Sequence, residues 1–122
     1  MYILKILTLM FLFLCIYGFT QITGTATYYS GQHHGRKTAS GEIYNMHALT
    51  CAADSKFKFG DLLEITNLTN GKSVVVRVND RGGAIKNNKI DLSLAAFKTI
   101  AKLSVGIIKV NIRKINNNEQ NR

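Results

Sequence analysis

The residues after position 20 that can hold and pass a proton as carboxyl groups are Glu42, Asp54, Asp61, Glu64, Asp80, Asp91 and Glu119. Asp80 stands apart by its setting. It closes the apolar run Ser73-Val74-Val75-Val76-Arg77-Val78-Asn79 and opens Asp80-Arg81-Gly82-Gly83, where glycine lets a ligand approach the backbone. A carboxyl group at such a strand end is expected to be partly buried and suited to general acid–base work. His33 and His34 are adjacent in a polar loop, with no third ligand at metal spacing, so exposed polar loop residues within reach of a bound molecule are the better reading of them. Cys51 lies in the apolar stretch Leu49-Thr50-Cys51-Ala52-Ala53 and reads as a buried structural thiol rather than a nucleophile. No metal and no cofactor are expected.

The elements that must position these groups follow from the sequence pattern. Thr23–Ser30 is rich in β-formers and reads as a strand, as does Asp61–Asn67. The Asn70-Gly71 pair marks a hairpin turn into Ser73–Asn79. That strand carries apolar residues on both faces, as a strand deep in a barrel would. Lys89–Leu92 reads as a short strand leading into a helix with the stripe Leu92, Ala95, Ala96, Ile100 and Leu103. Asp91 or Ser93 is placed to cap that helix, and Gly106 to end it. Gly106–Ile115 alternates as a last strand. Short strands, one helix and glycine turns predict a small β-barrel or a β-rich α+β domain.

The chain has 122 residues, enough for one domain. Residues 1–20 carry Lys5 and then an apolar run from Ile6 to Tyr17 broken only by Thr8. The run is short of the ~20 residues of a membrane span and fits a secretory signal, with cleavage expected near Thr20-Gln21. An uncleaved membrane anchor and a lipid-carrying Cys15 are the alternatives. The domain is expected over 21–115, with a polar, disordered tail over 116–122. The net charge of +9 favours polyanionic partners. Export turns that preference from nucleic acid towards wall polymers, with membrane contact only through the N-terminal segment. A monomer in the periplasm or cell envelope is expected.

Four ordered segments carry a resemblance. They are Gly24–Tyr29; Thr38-Ala39-Ser40-Gly41-Glu42 running on to Thr50; Val74–Gly82; and Ile90-Asp91-Leu92-Ser93. Together they resemble the rare lipoprotein A family of septal lytic transglycosylases, over about Gly24 to Ile115. The resemblance implies a mainly β fold, a six-stranded double-psi β-barrel with one short helix, shared with expansins. It also implies cleavage of peptidoglycan glycan strands between muramic acid and glucosamine, with a 1,6-anhydro end. Asp80 and Glu42 are the catalytic residues it implies. Thr38 and Arg81 belong to its groove motifs, and Tyr28, Tyr29 and Tyr44 are candidates for stacking on sugar rings, although aromatic residues in strands are core more often than platform. Asp91 matches the aspartate of an expansin motif. Ala52-Ala53-Asp54 stands where many members carry a histidine, and Lys58-Phe59-Gly60 replaces a Leu-Pro-Phe-Gly turn. An expansin-like module that binds without cleaving, and a hydrolase using a second carboxylate, remain open.

Overall fold

The computed structural model describes residues 21–82, 88–116 and 118–119. The expected signal segment with Cys15, the turn residue Gly83 and the end of the tail lie outside them. Six strands form a closed barrel: β1 (Gln21–Tyr28), β2 (Thr50–Ala52), β3 (Leu62–Asn67), β4 (Ser73–Asp80), β5 (Lys89–Leu92) and β6 (Ile108–Lys114). Their order around the barrel is β1-β5-β2-β4-β3-β6. Two pairings are parallel, β1 with β5 and β2 with β4, and the rest are antiparallel. Closure leaves no free sheet edge among the described strands.

Alternation places one face of each strand inside. Leu63 and Ile65 of β3, Val76 and Val78 of β4, Ile90 and Leu92 of β5, and Val110 of β6 all lie in the core. The strand β4 corrects the expectation of two apolar faces. Val74, Val76 and Val78 point inward, whereas Val75 is 40% exposed and Arg77 shares its outer face. The period-2 pleat decides this. The β3–β4 turn follows the Asn-Gly signal, with Gly71 at φ 74°. Gly24 is required for a different reason: a Cβ there would overlap the backbone carbonyl of Asn88.

The helix α1 (Leu94–Ile100) is shorter than the stripe predicts. Ala101 turns extended, and a separate 3-10 turn, Leu103–Val105, stops at Gly106 with φ 77°. Ser93 is the N-cap, its Oγ accepting from the Ala96 N–H at 3.2 Å. Asp91 is not the cap, because it is still a strand residue paired with Thr27 and Ala52. Part of the tail folds back, as Glu119 pairs with Arg113 at 2.9 Å.

Candidate active site

Barrel pairing brings the acidic candidates to one end. Ala52 of β2 stands opposite Asp80 on one side and Asp91 on the other. The register shifts between Cys51 and Ala52, so the pleat is irregular where the two aspartates approach. Cys51 itself is fully buried, and burial pushes its thiol pKa up, which keeps it an inert core group as expected.

The segment Thr38-Ala39-Ser40-Gly41-Glu42 forms a tight turn beside this end. The Thr38 N–H donates to the Glu42 carbonyl at 2.8 Å, and the Thr38 hydroxyl donates to the same oxygen at 2.7 Å. Gly41 supplies the left-handed corner at φ 89°. The turn docks on β4 through the Ser40 N–H and the Asn79 carbonyl. Docking delivers the Ala39 N–H to Asp80 Oδ1 at 2.8 Å, where the Arg81 N–H also donates at 2.8 Å. The other oxygen, Oδ2, accepts the Tyr29 hydroxyl at 2.6 Å. Three donors therefore hold the Asp80 carboxylate from three segments of chain. Beside it opens a pocket of about 110 Å³, lined by Asp80, Tyr29, Thr38 and Tyr44, with His33, Arg36 and Lys37 at its wall.

Glu42 lies on the same turn but does not line that pocket. Its two oxygens accept from the Arg77 guanidinium at 2.8 and 2.5 Å on the outer face of β4. Those hydrogen bonds hold the Glu42 carboxyl below its usual range, so it is ionised at neutral pH and poorly suited to donate a proton. Asp91 is half-buried and accepts the Thr27 hydroxyl at 3.1 Å. Burial raises its pKa, and the charge of Asp80 adds to the rise, while Thr27, Lys89 and His33 oppose it.

The other candidates separate. Tyr44 is buried, its hydroxyl accepts the Leu94 N–H at 3.1 Å, and its ring forms part of the pocket. Tyr28 turns away, packing on Phe97 at 4.7 Å and donating to the Leu103 carbonyl at 3.0 Å. Arg81 donates to the carbonyls of Ala53 and Phe57 and lies over the Phe59 ring, so it ties down the loop that follows β2. In that loop Asp54 accepts the Lys56 N–H at 2.9 Å, and the Asp61 carboxylate accepts the Lys58 N–H at 2.9 Å. Two side-chain turns thus shape a segment that holds no proline. Among the described residues no cluster of three His, Cys, Asp or Glu could hold a metal.

Two roles are not legible in the sequence. Tyr29, a candidate for stacking, is the hydrogen-bond partner of Asp80, and Arg77 is the partner of Glu42. The signal for Arg77 was a lone charge within Val74–Val78, which must face outward and find an acid. No local signal separates Tyr29 from Tyr28, which point to opposite faces.

Six strands closed into a barrel in this order, with one short helix, make the fold a double-psi β-barrel. The lytic transglycolase family model matches residues 21–112. The chain belongs to that family. The endolytic peptidoglycan transglycosylase RlpA of Neisseria meningitidis is 46% identical over 97 residues, covering 80% of this chain and 40% of that protein. The protein of the same name from Pseudomonas aeruginosa is 41% identical over 95 residues, 78% of this chain and 28% of that protein. The chain therefore spans well under half the length of these relatives. Among solved structures, the Streptomyces papain inhibitor superposes with a TM-score of 0.66 at 24% identity, covering 79% of this chain and 94% of that one. A Clavibacter michiganensis expansin in complex with cellohexaose has the same TM-score at 23% identity, covering 79% of this chain and 50% of that one. These two likenesses concern the fold alone.

Proposed function

We propose that this chain is an exported endolytic lytic transglycosylase that cleaves peptidoglycan glycan strands between muramic acid and glucosamine. The observation that carries the reading is that Asp80 is the single carboxylate among the described residues lining the pocket. A hydrolase uses two carboxyl groups, one of them to activate water or attack the sugar. A transglycosylase needs one. Asp80 carrying the proton hands it to the leaving glycosidic oxygen. The resulting carboxylate then takes the proton of the muramic-acid C6 hydroxyl as that oxygen bonds to C1. The C1–O bond breaks, a C1–O6 bond forms, and no water is consumed.

In this reading Glu42 acts through Arg77 by fixing the turn that delivers the Ala39 N–H. Arg36 and Lys37 give the pocket wall a positive charge suited to an acidic polymer. Residues 1–20 direct export, the barrel works as a monomer, and N-terminal sequencing of the envelope protein is expected to start near Gln21. A start at Met1 in the cytosol would remove export from the proposal.

Mass spectrometry of purified glycan strands after incubation tests the reaction. Fragments ending in 1,6-anhydro-muramic acid are the expected product. Reducing ends would assign a hydrolase, with Asp91 the obvious second carboxylate. Sedimentation with peptidoglycan and no fragments would assign a binding module.

A further inference from the structure

We infer that Tyr29 is the positioning residue of Asp80, fixing which carboxylate oxygen faces the substrate. The inference rests on the reading of Asp80 as the proton-transfer group. Tyr29 follows the last residue of β1, and its N–H donates to the Leu92 carbonyl at 3.0 Å, extending the ladder to β5. Tyr28 sends its ring to Phe97, so alternation sends Tyr29 to the opposite side. Its ring is held by Tyr44 at 4.8 Å and by His33 at 5.7 Å. From there the hydroxyl reaches Asp80 Oδ2 at 2.6 Å, across 51 positions of sequence.

The two oxygens of Asp80 are not equivalent in this setting. Oδ1 accepts two backbone N–H groups and has little capacity left. Oδ2 has one phenol donor and a lone pair to spare. Rotation about the Cβ–Cγ bond would exchange the oxygens, and the phenol is the contact that opposes it from the Oδ2 side. The phenol can only serve as a steady donor if it stays protonated. Burial, reinforced by the bond to Asp80, pushes the Tyr29 pKa up and secures that. Tyr29 therefore leaves one defined lone pair, on Oδ2, for exchange with the glycosidic oxygen.

Tyr29→Phe removes the hydroxyl and keeps the ring between Tyr44 and His33. A hydrogen bond to a charged group is strong enough that kcat is expected to fall on the order of 10- to 100-fold. KM for glycan should change less than about threefold, because the ring and the pocket wall remain. The decisive comparison is with Asp80→Asn. If Tyr29 acts through Asp80, adding Tyr29→Phe to Asp80→Asn costs no further rate. Additive losses, or a Tyr29→Phe enzyme with wild-type kcat, would overturn the inference. A second readout separates it from the proposed reaction. Melting-temperature shifts of Tyr29→Phe and of Asp80→Ala, which removes the accepting oxygen, should fail to add in the double variant, whether or not the protein cleaves glycan. Coupled melts with an inactive wild type would leave Tyr29 as Asp80's holder while the transglycosylase reading fails. Additive melts would sink the contact itself.

Discussion

Asp80→Asn is expected to lose on the order of 10²–10⁴ in cleavage rate while remaining folded. Asparagine has nearly the same shape. Its side-chain oxygen can still accept the Ala39 and Arg81 N–H groups that Oδ1 accepts at 2.8 Å each. Its amide can donate to the Tyr29 hydroxyl, which then turns to accept. What disappears is the proton itself. The loss should therefore lie in kcat, with sedimentation on peptidoglycan close to wild type. Glu42→Gln is the informative companion. Its partner is Arg77 in an ion pair whose two side chains are each 41% exposed, and exposed pairs contribute little stability. Glutamine can keep one of the two contacts, so the rate should fall much less than in Asp80→Asn. Both rates need a thermal melt beside them. A well-folded Asp80→Asn protein that cleaves at a normal rate would take Asp80 out of the mechanism. A larger loss in Glu42→Gln than in Asp80→Asn would reverse the two roles.

Five of the six strands were legible because each satisfies a local rule. The strand β1 has its run of β-formers, β3 and β4 are joined by Asn70-Gly71, and β5 and β6 alternate. The strand β2 was not legible. Thr50–Ala52 is three residues long, buried at every position, and shows no period to read. It is nonetheless the strand that sets Asp80 and Asp91 on either side of one residue. Asp80 itself could be picked out, since an acid at the end of a valine run is a local oddity. Its cradle could not, because Tyr29 and Ala39 reach it from 51 and 41 positions away. Such contacts depend on barrel closure and strand stagger, which leave no mark on neighbouring residues. Glu42 shows the converse limit. A motif placed it beside the pocket, but only the pleat of β4 shows Arg77 on the outer face, ready to claim its carboxylate.

Phe97→Ala should be the most damaging single change to the fold. Phe97 is fully buried in α1 and packs on the Tyr28 ring at 4.7 Å. Removing a buried phenylalanine ring costs roughly 3–5 kcal/mol, against a total of roughly 5–15 kcal/mol for a domain of ordinary stability. At roughly 4–8 °C per kcal/mol for a domain of this size, the melting temperature should drop by roughly 12–40 °C. The effect should reach the pocket through a short chain of contacts. The helix begins at Ser93, whose hydroxyl donates to the Ala48 carbonyl at 2.6 Å and whose N–H donates to the Thr50 carbonyl at 2.8 Å. The next N–H, of Leu94, holds the Tyr44 hydroxyl, and the Tyr44 ring packs on Tyr29. A loosened helix therefore frees Tyr44, then Tyr29, then Asp80. Phe97→Leu keeps most of the volume and should cost roughly 1.5 kcal/mol or less. Circular-dichroism melts of both variants separate a packing role from general sensitivity of the helix. If Phe97→Ala melts within about 3 °C of wild type, a loss of less than about 1 kcal/mol at 4–8 °C per kcal/mol, α1 does not brace the barrel end. In that case the pocket is held by the barrel strands and the Thr38–Glu42 turn without help from the helix.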